Sequence, residues 1–127
     1  MGYEWTIDPG RRFVTIVASG RVDFESSMET MRSIAADKRY HPEFDTLVDL
    51  RQMEYKASLG DIHQFSEMVA KLGIYKGRMA IVVTSADHFG AARQFSAFSE
   101  GHGREFEVFT GMRNALRWLG LPEDSLP

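Results

Sequence analysis

The run MAIVV at 79–83, framed as RMAIVVT, constrains most strongly what this chain can fold into. A strand with one wetted face alternates apolar and polar residues. A strand that does not alternate is covered on both faces, as in a mostly parallel sheet packed between helices. The run is the longest unbroken aliphatic stretch in the chain, and it is too short to span a bilayer. Parallel neighbours need long crossovers, usually helical, so helices are required on both sides of it.

The flanking sequence supplies them. YEWTI and RFVTIVA are rich in aromatic and β-branched residues, and the DPGR stretch between them (Asp8 to Arg11) predicts a hairpin, with Pro9 fixing φ and Gly10 accepting φ > 0. FESSMETMRSIAADKRY carries Phe24, Met28, Met31 and Ala35 at helical spacing, with Asp23 as N-cap and His41-Pro42 as the stop. TLVDL at 46–50 reads as a strand. Ile62, Phe65, Val69 and Leu72 form the stripe of a second helix that ends at Gly73. Ala91, Phe95 and Phe98 mark a third, closed by Gly101 and Gly103. EFEVF and GMRNALRWLG complete the pattern, the last helix turning Met112, Ala115, Leu116 and Leu119 inward. The order is ββαβαβαβα: an α/β fold with a mixed, mainly parallel five-stranded sheet, an N-terminal hairpin and four helices. The helix stripes hold most of the Phe and Met residues, enough to fill the core without a cofactor.

A length of 127 residues suits one domain, expected over 1–120, with LPEDSLP (121–127) as a tail. Hydrophobic residues at 43% and charged residues at 26% describe a globular chain, and a net charge of −3 argues against nucleic acid or an anionic membrane as main partner. With no cysteine, disulfide and thiol chemistry are excluded. No signal segment opens the chain, and a cytoplasmic location is expected.

Few residues announce chemistry. Ser58-Leu59-Gly60-Asp61 fits a capping box, a hydroxyl followed three residues later by an acid. The same helix start would favour a phosphate, with Arg51 and Lys56 able to pair with it and Asp61 opposing it. His63, Glu67 and Lys71 share a helix face opposite the apolar stripe and read as a solvated face with a pairable Glu–Lys. Ser85, Asp87 and His88 follow the apolar strand, where ligands are favoured in parallel sheets, but Asp87 or Ser85 reads better as an N-cap. His102 lies between two glycines. The four histidines have no metal-ligand spacing, and the phosphate-loop and GxSxG patterns are absent. The pairs Arg11-Arg12 and Lys38-Arg39 read as ordinary surface charge.

Three stretches resemble a known family. DLRQMEYKASLG (49–60) resembles the part of STAS domains in which an aspartate-leucine strand end leads to a D-S-[ST]-G helix start. FGAARQFSAFSEG (89–101) resembles their third helix, and FEVFTGMRNALRWLG (106–120) their final strand and helix. The closer resemblance is to the SpoIIAA-like proteins, also called STAS/SEC14-like. It implies a sheet covered by helices and a regulatory surface at the start of the second helix, where a serine is phosphorylated by a partner kinase to control protein binding. Ser58 and Gly60 match that motif. The motif aspartate is Ala57 here, and its second hydroxyl is Leu59, so the phosphoacceptor site is degenerate.

The first expectation is therefore a non-enzymatic regulatory or protein-interaction module, resembling anti-sigma factor antagonists. Its partner surface would comprise Arg51, Met53, Tyr55, Lys56, Leu59, Gly60 and Asp61 around Ser58. Met53 and Tyr55 stand out in a polar loop, and they could equally fold back on the core. An alternative is a domain that binds or senses a small apolar ligand or lipid, suggested by nine Phe, seven Met and the SEC14-like resemblance. A second alternative is an enzyme using Asp87 and His88. No cofactor or metal is expected. A homodimer through the edge strand bearing Tyr3 and Trp5 is a further possibility.

Overall fold

A computed structural model of the protein describes residues 2–123. The elements follow the expected order: β1 (Gly2–Asp8), β2 (Phe13–Gly20), α1 (Phe24–Ala36), β3 (Asp45–Met53), α2 (Leu59–Leu72), β4 (Arg78–Val82), α3 (Ala86–Glu100), β5 (Glu105–Phe109) and α4 (Met112–Leu119). The five strands lie in one sheet in the order β1-β2-β3-β4-β5. Only β1 and β2 are antiparallel; the other pairs are parallel.

Side chains alternate across the sheet, so the strands from β2 to β5 feed two separate cores. Val14 and Ile16 of β2, with Met79 and Ile81 of β4 and Phe106 of β5, face α1, α2 and α3. Phe13, Leu47, Ala80 and Val82 face the other way, against Met112, Ala115, Leu116 and Leu119 of α4. MAIVV is thus covered on both faces, as its lack of alternation requires. Arg78 ties α4 down: its guanidinium donates to the carbonyls of Trp118 (2.6 Å) and Leu119 (3.2 Å) at the negative end of that helix.

Several boundaries depart from expectation for local reasons. The left-handed residue of the hairpin is Arg12 (φ 56°) and not Gly10. The Asp8 carboxylate accepts from the Arg11 amide (3.1 Å) and the Pro9 carbonyl from the Arg12 amide (3.3 Å), which moves the reversal one step along the chain. Helix α1 stops at Ala36, before His41-Pro42, because the Asp37 carboxylate takes the Arg39 amide (2.8 Å) and its guanidinium (2.9 Å) and turns the chain there. Strand β3 continues past TLVDL to Met53, paired with β2 across a bulge between Val17 and Ser19. In α3 the buried positions are Ala92 and Ser99. Phe98 turns instead toward α2, edge-on to His63 at 5.3 Å.

The connection from α2 to β4 is tightly held. Gly73 closes α2 in the left-handed region (φ 65°). The amides of Lys76 (2.8 Å) and Gly77 (3.3 Å) then both donate to the Pro42 carbonyl. A Cβ on Gly77 would lie 2.6 Å from the Phe44 carbonyl and 2.7 Å from that of Glu43, so only glycine permits this approach. The expected tail begins in contact with the domain: Leu121 packs on the α4 core and Glu123 pairs with Arg113 at 3.2 Å. The rest of that segment, 124–127, lies outside the described residues.

Candidate functional site

The α1–α3 core is not filled. Between the sheet and those three helices lies a pocket of about 130 Å³, partly open to solvent. Its floor is the sheet face bearing Ile16, Val48, Leu50, Met79 and Ile81, and its roof includes Met31, Ile62, Phe65, Ala92 and Phe95. Met53 and Tyr55 fold back to line it, as does His88 at the start of α3. No Asp, Glu, Lys or Arg contributes to its lining. Met and Phe stripes, read from the sequence as sufficient core filler, here wall an open space.

Five hydroxyl-bearing residues line the cavity: Tyr3, Ser27, Thr30, Tyr55 and Tyr75. Tyr3 reaches in from the edge strand and contacts Ser27 Oγ at 2.7 Å. Ser27 Oγ gives its own proton to the Asp23 carbonyl (2.8 Å), so the Tyr3 hydroxyl is the donor in that pair. Thr30 Oγ1 donates to the Ser26 carbonyl (2.8 Å), and Tyr55 donates to the Asp61 carboxylate (2.8 Å). Tyr75 differs. The residue is 4% exposed, yet its phenol oxygen is not among the sealed, unpartnered hydroxyls of the described residues, which are those of Thr46, Ser66 and Ser99. Burial, with the nearby Tyr40 and Tyr3 phenols, pushes its pKa far above the ordinary range and keeps it neutral. Its backbone is left-handed (φ 56°), uncommon for a bulky residue, and its amide donates to Tyr40 Oη at 2.9 Å.

Ser58 is the N-cap of α2. Its Oγ accepts from the Asp61 amide (3.0 Å), and the Asp61 carboxylate accepts from the Ser58 amide (3.3 Å), a reciprocal capping box. The hydrogen bond from Tyr55, with those of the cap, holds the Asp61 carboxyl below its usual range. Tyr55 is pushed upward by burial and by the same carboxylate. Its ring meets Phe65 edge-on at 6.4 Å, and Phe65 stacks on Phe24 at 5.4 Å. The cap of α2 and one wall of the cavity are therefore joined through Tyr55.

The other residues singled out from the sequence divide. Leu59 points outward, 61% exposed, beside exposed Ser58, Gly60 and Lys56. Arg51 is engaged by Asp49 through two hydrogen bonds of 2.9 Å and does not reach toward Ser58. Burial raises the Asp49 carboxyl, but the bonds from Arg51 outweigh this and leave it below its usual range. Ser85, and not Asp87, caps α3, with Oγ accepting from the His88 amide at 3.1 Å. Asp87 is exposed while His88 faces the cavity, so the two do not form a pair. Glu67 meets His63 and His102, each at 3.6 Å, rather than Lys71. The edge-strand aromatics Tyr3 and Trp5 pack inward on the core. Among the described residues no group of three or more His, Asp or Glu is placed to hold a metal, and no helix is long and apolar enough to cross a membrane.

Tyr75, Tyr3, Ser27 and Thr30 carry no sequence signal for a site. Tyr75 sits in GIYKG with neither motif nor helical spacing, and the hydroxyls of Ser27 and Thr30 are lost among the polar residues of α1.

A four-helix, five-stranded sheet with these connections and an N-terminal hairpin defines a SpoIIAA-like fold. No family model matches the chain, and no curated protein does so significantly. Among solved structures the chain is similar to an uncharacterised protein of the DUF3478 family with a SpoIIAA-like fold, from Shewanella loihica PV-4. The TM-score is 0.60 at 20% identity, over 93% of each chain. At that identity the likeness shows the fold.

Proposed function

We propose that the protein is a binding module for a small apolar molecule, held between the sheet and helices α1–α3. The observation that carries this reading is the 130 Å³ cavity itself. Natural cores are packed to crystal-like density, with voids rarely larger than a water. An engineered apolar cavity of about 150 Å³ takes up benzene, so this space suits a ring-sized guest. Met31, Met53 and Met79 line it, whereas Met28, Met68 and Met112 lie elsewhere and serve as controls. In methyl-labelled protein titrated with toluene, the first three methionine signals should shift saturably and the control signals should not. Absent or uniform shifts would refute the reading.

A second reading has its own support. Exposed Leu59 beside exposed Ser58 gives a small apolar feature next to a hydroxyl at a helix N-terminus, the place expected for a regulatory protein contact. Phosphate on Ser58 would displace the Asp61 cap and release Tyr55 from it. Incubation with cell extract and ATP, followed by intact-mass measurement of wild type and Ser58→Ala, tests this. A phosphoform unchanged in the variant, or none at all, would refute it.

A further inference from the structure

The cavity's hydroxyls specify what kind of apolar molecule fits. We infer that the site selects a neutral, ring-sized molecule bearing one hydrogen-bond acceptor, which Tyr75 anchors through its phenolic proton. This rests on the binding-module reading above and names its ligand class. Four of the five cavity hydroxyls have their protons engaged: Ser27 on the Asp23 carbonyl, Tyr3 on Ser27, Thr30 on the Ser26 carbonyl and Tyr55 on Asp61. The Tyr75 phenol is the one hydroxyl left over, on a residue 4% exposed that lines the cavity, with the His88 imidazole the other polar group there. This phenol oxygen is not sealed, unlike the unpartnered hydroxyls of Thr46, Ser66 and Ser99, so it faces pocket space where a guest's acceptor can take its proton in place of water.

The backbone holds this phenol in place. The Tyr75 amide is fixed by Tyr40 Oη, the preceding Ile74 carbonyl accepts from Arg104 Nε (3.2 Å), and the following two amides are tied to Pro42. The donor is therefore set before a ligand arrives, which reduces the ordering cost of binding. Charge is disfavoured on separate grounds. The lining holds no Lys or Arg, and His88 is its one side chain able to carry positive charge, so a carboxylate guest would be stripped of water against at most a single imidazole.

Phenol, toluene and benzoate form a test set, since phenol and toluene have the same shape and differ at the acceptor. Binding is read from the Met31, Met53 and Met79 methyl signals in wild type and in Tyr75→Phe. The variant should bind phenol about tenfold more weakly, the scale of one neutral hydrogen bond, and toluene within about twofold of wild type. Benzoate should bind at least about a hundredfold more weakly than phenol, the scale set by burying an unpaired charge. In unmodified protein the Tyr75 ring carbon bearing the hydroxyl should shift with phenol and not with toluene, which needs no variant. Toluene and phenol both failing to bind would overturn the binding-module reading. Toluene and phenol binding Tyr75→Phe and wild type alike would overturn the anchor alone. Benzoate binding as well as phenol would overturn the selection for neutral guests.

Discussion

Ala92→Met should make the protein more stable and less able to bind. Ala92 is buried on α3 and lines the cavity, so a longer side chain there must grow into it. At about 24 cal/mol per Å³ of sealed void, 130 Å³ costs at most about 3 kcal/mol here, since the pocket is open on one side. Methionine adds three heavy atoms, each somewhat smaller than a water's share of about 30 Å³, and so fills on the order of half the space. That recovers at most about 1.5 kcal/mol, from which ordering a methionine side chain removes about 1 kcal/mol. The net gain is at most about 0.5 kcal/mol, or about 2 °C in Tm for a domain of this size. Toluene affinity should fall at least about tenfold, because guest and side chain compete for the same volume. Thermal unfolding with and without saturating toluene measures both effects on one sample. A Tm lowered by several degrees, with toluene binding intact, would mean that the space beside Ala92 is already occupied by packed atoms, and the cavity argument would fail.

Other expectations concern the parts that frame the cavity. Gly77→Ala should cost about 2 kcal/mol by urea unfolding, as overpacking against fixed backbone does, because its Cβ would press on the Phe44 and Glu43 carbonyls; an unchanged midpoint would show that the loop yields freely. Ser58→Ala should cost about 1 kcal/mol, the usual worth of an N-cap, and a neutral result would mean that the cap bond does not form in solution. Asp61→Ala, which removes the acceptor, should release Tyr55 and speed exchange of bound toluene, seen as altered line shapes of the Met53 methyl signal. The Asp61 carboxyl titrates lower in the folded protein than in the unfolded chain. Its contribution to stability is therefore complete above the ordinary carboxylate range and lost as pH falls through the depressed folded pKa. Wild type should lose more stability than Asp61→Asn across that acidic window, and parallel profiles would contradict the assignment.

The parts of the fold that were legible in the sequence are those whose signals are local. MAIVV lacks alternation because both its faces are buried, and Met112, Ala115, Leu116 and Leu119 recur at helical spacing because one face of α4 is. Ser58 and Gly73 mark the ends of α2 through cap chemistry that needs only a few neighbouring residues. Ends set by side-chain competition were harder to read: the Asp37–Arg39 contact stops α1 where no glycine or proline stands. The cavity was not legible at all, because a void is a difference between volumes contributed by β1, β3, α1, α2 and α3, far apart in the chain. Tyr75 was equally hidden. Its left-handed backbone is imposed by Tyr40, Pro42 and Arg104, and nothing in GIYKG distinguishes it from a tyrosine that ends a helix.

The strand order has a consequence for how fast anything can come and go. Because the sequence of strands never reverses, the sheet lacks the crevice at its carboxyl end that such a reversal opens and that many α/β proteins use for ligands. A guest here must lie beneath a roof of three helices instead. Residence time would then be set by the contacts a guest makes beneath that roof, and two molecules of equal affinity could differ widely in how long they stay.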